Sequence, residues 1–384
     1  MSTARTEVPV TGAWRPGDPP GRRRFASLFT NASRVPAGLD LEAGGSLPAV
    51  TVAYETWGEL DAHASNAVLV LHALSGDSHV CGPIGPGHPS PGWWGPLVGP
   101  GAPIDTDRFF VVCPNVLGGC QGTTGPSSEA PDGRPFGSRF PVVTVKDQVA
   151  VEHALATELG IDRWYAVTGG SMGGMRALQW AVDFPAQVER AIVLATGAAA
   201  SAEQIALCWL QSQAIRLDPD FHGGDYYSAR RGPRAGLAIA RAIGHLSYRS
   251  ELELEQRFSN KPQGDEVPLH GGRYEVESYF AHHGEKMINR FDANSYIVLS
   301  DAMNHYDLGR GYGGARAALS RVRADVTLVG ISSDRLYPLR LQRELAELLG
   351  RPNNLEIIDS IVGHDGFLVE HEAVGKVVRS ALDS

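Results

Sequence analysis

A serine flanked by glycines constrains this chain more than any other feature of its sequence. Ser171 stands within Gly-Gly-Ser-Met-Gly-Gly, residues 169–174. The apolar run before it (164–168) predicts a short buried strand, and the stretch after it (175–181) predicts an amphipathic helix. Flanking glycines leave room for that helix and strand to approach each other closely. The segment therefore predicts a strand, a sharp turn and a helix, with the serine hydroxyl lifted above a sheet.

Gly-x-Ser-x-Gly between a strand and a helix is the nucleophile elbow of the α/β-hydrolase fold. The elbow holds the serine in a strained turn at the positive end of a helix, where an oxyanion can be stabilised. Covalent acyl chemistry on Ser171 is therefore the leading hypothesis. Because the chain contains 45 glycines, a glycine-rich turn without chemistry is the alternative.

The composition is typical of a soluble globular protein, with 43% hydrophobic and 20% charged residues among 384. A net charge of −9 argues against nucleic acid as a partner, since a phosphate backbone needs a basic surface. No apolar stretch approaches the roughly 18 residues that cross a bilayer. The four cysteines form no Cys-x-x-Cys pair, and we expect neither a disulfide framework nor a metal site. These features predict a cytoplasmic protein that contacts neither nucleic acid nor membrane.

Strand and helix patterns alternate along the chain as in a mostly parallel sheet with helices on both faces. Strands are predicted at 47–56, 66–72, 108–114, 164–168, 190–196, 324–331 and 354–358. Helices are predicted at 145–159, with Thr144 as its N-cap, at 175–181 and at 338–349. This alternation predicts the α/β-hydrolase fold.

The alternation stops between residues 199 and 320, where only helices are predicted, at 202–217, 236–248, 276–289 and 293–306. We expect a helical lid at 199–320, inserted into an α/β-hydrolase core of residues 25–198 and 321–384. A lid there would cover the strand ends, where open α/β sheets bind ligands. Residues 1–24 are rich in Pro, Gly, Arg and Thr, and we expect a flexible arm.

A serine needs a base, and in this fold the acid and then the histidine follow it along the chain. Asp334 follows the strand that ends near residue 331, and His364 follows the last strand. We therefore predict a catalytic triad of Ser171, Asp334 and His364. The histidines at 245, 282, 283 and 305 lie on predicted lid helices and fit surface or packing roles better.

An oxyanion hole in this fold uses the backbone N–H after the nucleophile and one from a loop after an earlier strand. Met172 supplies the first. Leu74, in the loop after the strand at 66–72, is the candidate for the second. We interpret His72 as a structural histidine that supports this loop.

With these residues assembled, the chain resembles the homoserine O-acetyltransferase family of α/β-hydrolase-fold acyltransferases, from about residue 26 to the end. The segments that carry the resemblance are 71–77 (LHALSGD), 115–126 (NVLGGCQGTTGP), 170–175 (GSMGGM), 240–250 (ARAIGHLSYRS), 334–338 (DRLYP) and 363–368 (GHDGFL). Six such blocks in order are far more specific than the elbow alone.

The resemblance implies transfer of acetyl from acetyl-CoA to the hydroxyl of L-homoserine, in methionine biosynthesis, by a ping-pong mechanism through acetylated Ser171. It implies no permanently bound cofactor, with acetyl-CoA as co-substrate, and a homodimer joined through the lid. Arg241 matches the family's ligand for the substrate carboxylate and Asp365 its partner for the ammonium, with Tyr248 assisting. An arginine and an aspartate suit an amino-acid zwitterion, because a guanidinium group can donate two hydrogen bonds to a carboxylate.

Several alternatives stay open. Thr123 and Thr124 look more like the acetyl-transferring relatives, but a succinyl donor or a serine acceptor is also compatible, since one methylene is worth only about 1–3 kcal/mol. A serine ester hydrolase could use the same triad. A non-enzymatic binding protein is disfavoured, because no triad member is missing. Arg230, Arg231 and Arg234 could attract CoA phosphates or form a solvated helix face.

Overall fold

The protein is described by a computed structural model that covers residues 9–351 and 354–384. Its main sheet has eight strands in the spatial order β1-β2-β4-β3-β5-β6-β7-β8. In chain order they are β1 Arg24–Leu28, β2 Val50–Trp57, β3 Ala67–Leu71, β4 Phe110–Pro114, β5 Trp164–Gly170, β6 Val188–Leu194, β7 Asp325–Ile331 and β8 Leu355–Ile358. β2 pairs antiparallel with both β1 and β4, and the other pairs are parallel. The α/β-hydrolase architecture predicted from the sequence is confirmed.

The central strand β3 shows why the sheet is buried on both faces. All of its residues are apolar and buried, as expected for a parallel strand covered by helices on each side. Val68 and Val70 pack into one hydrophobic cluster, while Leu69 and Leu71 pack into another on the opposite face. Side chains alternate along a strand, so this single apolar run supplies both layers of the core.

Helices flank the sheet and follow its strands. They are α1 Val145–Leu159, α2 Met172–Asp183, α9 Leu339–Leu348, α10 Gly366–Val369 and α11 His371–Asp383. The predicted bounds of α1 are confirmed, and Thr144 is its N-cap in a reciprocal capping box with Asp147. The terminal helix α11 was not predicted, although its apolar residues at 374, 378 and 382 recur at helical spacing and are buried.

Between β6 and β7 the chain forms helices and no strand of the main sheet. They are α3 Ala202–Arg216, α4 Arg234–Tyr248, α5 Glu251–Arg257, α6 Glu275–Ile288, α7 Ala293–Asn304 and α8 Ala315–Leu319. Four of them match the predicted helices to within two residues at each end, whereas α5 and α8 were not predicted. The division of the chain into a core and a lid stays a prediction. None of the helices in the described part of the chain is long and apolar enough to cross a membrane.

The described part of the N-terminal segment, residues 9–24, packs against the rest of the protein, in contrast to the flexible arm that we expected. Thr11 donates to the carboxylate of Asp292 at 2.8 Å. The backbone N–H of Trp14 donates to the Cys120 carbonyl at 2.9 Å. The composition of this segment does not reveal hydrogen bonds to residues far away in the chain. These hydrogen bonds explain why the segment packs against the protein. Residues 1–8 of the expected arm lie outside the described residues.

Candidate active site

Ser171 occupies a sharp turn between β5 and α2. Its φ of 57° and ψ of −123° are strained for a residue with a side chain, as an elbow requires. A Cβ on Gly173 would lie 2.0 Å from the carbonyl oxygen of Leu71, and one on Gly170 would lie 2.4 Å from the Phe367 ring. Only glycine permits this close approach of the helix to the sheet, so the turn predicted from the sequence is present.

Asp334 and His364 follow β7 and β8, and the structure joins them. Nδ1 of His364 lies 2.6 Å from Oδ2 of Asp334. The other carboxylate oxygen accepts the backbone N–H groups of Leu336 and Tyr337, each at 2.8 Å. Because an ionised carboxylate only accepts hydrogen bonds, Nδ1 carries the proton and Nε2 is left with its lone pair. The histidine is therefore in the tautomer that a general base needs.

Aromatic rings hold the imidazole of His364 in place. The Tyr337 ring stacks on it with centroids 5.1 Å apart and an interplanar angle of 25°. Phe367 meets it edge-on at 5.3 Å, and Tyr248 lies at 5.9 Å. The ring is also buried. Packing on several sides fixes the orientation of the imidazole and restricts its rotation.

A cleft of about 330 Å³ collects most of the predicted site residues. Its lining includes the predicted residues Leu74, Ser171, Arg241, Tyr248, His364 and Asp365. Asp334 lies behind His364, and Met172 is buried at the first position of α2. Within the described residues, no protein oxygen accepts a hydrogen bond from the backbone N–H of Leu74 or Met172. Both donors are therefore available for an oxyanion, and that role stays a prediction.

Opposite charges line this cleft. Nη1 of Arg241 donates to the Ser75 hydroxyl at 3.3 Å, and its guanidinium lies 5.5 Å from the centre of the Tyr248 ring. Asp365 lies 3.4 Å from Nη2 of Arg249. Burial raises the pKa of Asp365, while Arg249 and Arg241 oppose that shift. Burial also raises the pKa of Tyr248 to about 12, so this tyrosine is a neutral hydrogen-bond donor. A zwitterion could bind between these groups.

Three side chains of basic residue types at the cleft were not predicted to belong to the site, and one of them, His283, was expected to have a surface or packing role. His283, Lys286 and Arg290 line the cleft, and Nη1 of Arg290 donates to the Ser75 carbonyl at 2.8 Å. Burial and the nearby Arg241 lower the pKa of His283 to about 4, so it is neutral. Their spacing of three and four residues places them on one face of α6 and its end, but spacing alone does not show that this face meets the cleft.

Two other groups singled out in the sequence lie away from the cleft. Thr123 and Thr124 fasten their loop to β2, because their hydroxyls accept the backbone N–H groups of Ala53 and Thr51 at 2.9 Å. Arg231 and Arg234 line a separate hollow near Pro9, Asp218 and Asp220. Neither group lines the cleft around Ser171.

His72 has the structural role that we predicted. Its Nδ1 donates to the carbonyl of Ala73 at 2.8 Å, and its Nε2 accepts the backbone N–H of Val116 at 3.1 Å. Burial and the charge of Arg176 lower its pKa to about 3, so the ring is neutral. It holds the start of the loop that carries Leu74.

A buried polar cluster of Glu55, His79 and His88 supports the far end of the same loop. Nδ1 of His79 lies 3.0 Å from Oε2 of Glu55, and its Nε2 lies 3.2 Å from the carbonyl of Pro83. An ionised Glu55 and the Pro83 carbonyl both accept hydrogen bonds, so these contacts favour a ring that carries two protons. His88 stacks on it at 3.8 Å, and its Nε2 accepts the backbone N–H of Arg22. We interpret the cluster as a buried His79–Glu55 ion pair.

This ion pair should make the stability of the protein depend on pH. Burial opposes the charge on His79, but the hydrogen bond and charge of Glu55, with Asp77, raise its pKa above 6.5. A raised folded-state pKa stabilises the protein fully below pH 6.5, and this is lost as the pH rises through the folded pKa. His79→Asn should lower the free energy of unfolding by about 1–3 kcal/mol at pH 6 and by less at pH 9.

Urea unfolding at both pH values measures this difference. His88, which faces the pair, has a pKa lowered from its usual value mainly by burial, with Glu55 opposing that shift. His63→Asn, at an exposed histidine, is the control and should change little at either pH. A destabilisation by His79→Asn that is equal at the two pH values would contradict the charged pair.

Comparisons with known proteins agree with this geometry. A family model described as the α/β hydrolase fold matches residues 66–371. The homoserine O-acetyltransferase of Thermobifida fusca is 56% identical over 376 residues, which cover 98% of this chain and 97% of that protein. The enzyme of the same name from Mycobacterium leprae is 53% identical over 345 residues, 90% of each chain.

Comparison with solved structures supports the same conclusion. The homoserine O-acetyltransferase from Bacillus anthracis superposes with a TM-score of 0.84 at 29% identity, covering 95% of this chain and 98% of that one. Esterase E22 superposes with a TM-score of 0.83 at 28% identity, covering 94% and 99%. With sequence identity above half over nearly the whole chain, the protein belongs to the homoserine O-acetyltransferase family of the α/β-hydrolase fold.

Proposed function

We propose that this protein is a homoserine O-acetyltransferase, which moves acetyl from acetyl-CoA to the side-chain hydroxyl of L-homoserine. The observation that carries the proposal is the pair of opposite charges, Arg241 and Asp365, in the cleft that also holds Ser171 and His364. An esterase for simple esters needs no such pair. A homoserine zwitterion needs a cation for its carboxylate and an anion for its ammonium.

In the first half-reaction, Nε2 of His364 takes the proton of Ser171 as Oγ bonds to the thioester carbonyl carbon. The N–H groups of Leu74 and Met172 stabilise the oxyanion. When the carbonyl re-forms, the C–S bond breaks and CoA leaves with the proton from His364. Acetyl-Ser171 remains.

In the second half-reaction, His364 takes the proton of the homoserine hydroxyl, whose oxygen attacks the acetyl carbonyl. The bond to Ser171 Oγ then breaks, and the proton returns to Ser171. Asp334 stays ionised throughout and stabilises the imidazolium. Arg241, Asp365 and Tyr248 hold the amino acid so that its hydroxyl approaches the ester.

The basic side chains at the cleft support a CoA thioester as donor. Arg241, Lys286 and Arg290 line the cleft although the chain carries a net charge of −9. Such a local concentration of positive charge attracts phosphates by electrostatic steering. The reaction would activate homoserine for methionine biosynthesis in the cytoplasm, which rests on family membership.

A hydrolase is the second candidate, because esterase E22 shares the fold with a TM-score of 0.83. The transferase and the hydrolase are distinguished by measuring thiol release from acetyl-CoA and succinyl-CoA, each with L-homoserine, L-serine or no acceptor. Release only with acetyl-CoA and homoserine, lost in Ser171→Ala, supports the proposal. Equal release without an acceptor indicates a thioesterase and removes the roles given to Arg241 and Asp365.

Arg241→Gln should damage the use of homoserine more than acylation. Losing a charge-assisted contact costs about 1.5–3 kcal/mol, so kcat/KM for homoserine should fall roughly 10- to 150-fold. Acylation of Ser171 by 4-nitrophenyl acetate should change less than about threefold. Steady-state kinetics and the acylation burst measure the two effects.

The control is Arg234→Gln, at an arginine on the same helix that lies outside the cleft. Its kcat/KM for homoserine should stay close to that of the unmodified protein. Equal losses of homoserine use and of acylation in Arg241→Gln would contradict a role in binding the acceptor.

We also propose a homodimer formed through α3 and α4. These helices pack on each other and expose Ile205, Trp209 and Leu210 from α3, with Ile239 and Leu246 from α4. Trp209 is 58% exposed, which is unusual for so large an apolar side chain on a monomer. A second copy of the chain presents the same apolar face, so the two faces can pack against each other under two-fold symmetry.

Trp209→Glu should convert the dimer into a monomer, because a buried unpaired carboxylate would oppose association. Light scattering after size exclusion measures the mass. Leu269→Glu is the matched control, since Leu269 is 95% exposed and belongs to the short 3₁₀ helix at 268–270, which is part of neither helix. A dimeric mass for Trp209→Glu would contradict this interface.

A further inference from the structure

Ser171 borders a second, much smaller cavity of about 30 Å³. Leu74, Ser171 and Tyr248 line both this pocket and the large cleft, so the two cavities meet at the nucleophile. The other lining residues lie just before α3, on α2, α3, α4 and α7, and after Asp334, and they include Met175, Leu207, Cys208, Met303, Leu336 and Tyr337. We refer to this cavity as the side pocket.

The side pocket has no charge. No Asp, Glu, Lys, Arg or His is among the described residues that line it. Burial raises the pKa of Cys208 to about 12 and that of Tyr248 to about 12. Burial also raises the pKa of Tyr337 well above its usual range. These groups are therefore neutral at physiological pH, in contrast to the charged walls of the cleft.

The pocket is also small. Its volume of about 30 Å³ is roughly a tenth of the volume of about 330 Å³ that the cleft has on the same measure. A longer acyl chain would force the walls apart, at a typical cost of about 1–3 kcal/mol. A succinyl chain would in addition bury a carboxylate that finds no cation there.

The chemistry requires a place for the acyl chain outside the cleft. When acetyl-Ser171 forms, CoA departs through the cleft that contains Arg241 and Asp365, and homoserine must then occupy it. With the carbonyl oxygen held near Leu74 and Met172, the acyl chain has to point away from this path. The side pocket adjoins both Ser171 and Leu74 and offers that space.

We infer that the side pocket receives the acyl chain of the acyl-serine, and that its small uncharged volume restricts the donor to acetyl. This inference rests on the proposed function and adds the structural basis of donor choice. Met303 on α7 and Cys208 on α3 are two of the residues that limit its size.

The test uses 4-nitrophenyl esters of formate, acetate, propionate and butyrate, whose acylation of Ser171 is followed as a burst of nitrophenol. Neither CoA nor homoserine takes part, so the result is independent of whether transfer to homoserine succeeds. In the unmodified protein, butyrate should acylate at least about tenfold more slowly than acetate. Comparable rates for the two esters would overturn the inference.

Met303→Ala should enlarge the pocket and raise the butyrate-to-acetate ratio at least about tenfold. Leu299→Ala is the matched control, because Leu299 is buried one turn earlier on α7 and lines neither cavity. It should leave the ratio within about twofold. Equal changes in the two variants would mean that a general loosening of α7, not the pocket, sets the ratio.

Cys208→Val tests the same pocket in the opposite direction by adding volume. Acylation by acetate should fall at least about tenfold, while acylation by formate, which has no carbon beyond the carbonyl, should change less than about threefold. An equal decrease in the rates of acylation by the formate and acetate esters would overturn the inference. Intact-protein mass after incubation with succinyl-CoA should show no succinyl adduct in the unmodified protein, and a stoichiometric adduct would also overturn it.

Discussion

Ser171→Ala is expected to lower the release of thiol from acetyl-CoA in the presence of L-homoserine by about 10⁶-fold. Triad enzymes lose activity on this scale when the nucleophile is removed, because no covalent intermediate can form. The residual rate would come from the oxyanion donors and from substrate positioning alone. The measurement is thiol release over hours at high enzyme concentration, together with the intact mass after incubation with acetyl-CoA, which should show no acetyl adduct.

The control is Ser212→Ala, at a buried serine on α3 that lines neither cavity. Its activity should stay within a few-fold of the unmodified protein. If Ser171→Ala kept more than a few per cent of the rate, with kinetics that require both substrates bound together, direct transfer would replace the acyl-serine mechanism.

Asp334→Asn is expected to lower kcat about 10⁴-fold while the protein stays folded, by analogy with the same change in other triads. The reason lies in the hydrogen bonds of the carboxylate. One oxygen accepts the N–H groups of Leu336 and Tyr337, so an Asn oxygen would keep that position. Its NH₂ group would then face Nδ1 of His364, now at 2.6 Å from the carboxylate.

An NH₂ donor there would force Nδ1 to accept, and the ring proton would move to Nε2. Nε2 could then no longer take the proton of Ser171. Steady-state kinetics from pH 6 to 10 with circular dichroism as a folding check measure the effect. Asp359→Asn, at an aspartate that accepts from the Ser332 hydroxyl and lies outside the triad, is the control. A loss of less than tenfold for Asp334→Asn would contradict its role in setting the tautomer.

Some of the site could be predicted because its signals are local. The glycines around Ser171 and the strand before it are read from consecutive residues. The order of serine, acid and histidine then follows from the fold. Asp334 and His364 could be predicted to lie near Ser171 because each follows a strand, and parallel strands of one sheet end at the same edge.

Other parts could not be predicted because they depend on which surfaces face each other. Helical spacing places His283, Lys286 and Arg290 on one face, but it does not say that this face meets the cleft. The composition of residues 1–24 predicts a flexible arm, but Thr11 donates to Asp292, which is 281 positions away in the chain. The hydroxyls of Thr123 and Thr124 bind the backbone of β2, a contact that no local pattern shows.

The sequence by itself determined the elbow, the α/β-hydrolase fold and the chain order of the predicted triad, because steric demands at a turn and the periodicity of apolar residues act over short distances. Only the tertiary structure decided that Arg241, Asp365 and Arg290 share one cleft, and that helices α3 and α7 leave about 30 Å³ beside Ser171. Charge pairing and cavity size depend on the distances between elements far apart in the chain, and no local pattern contains those distances.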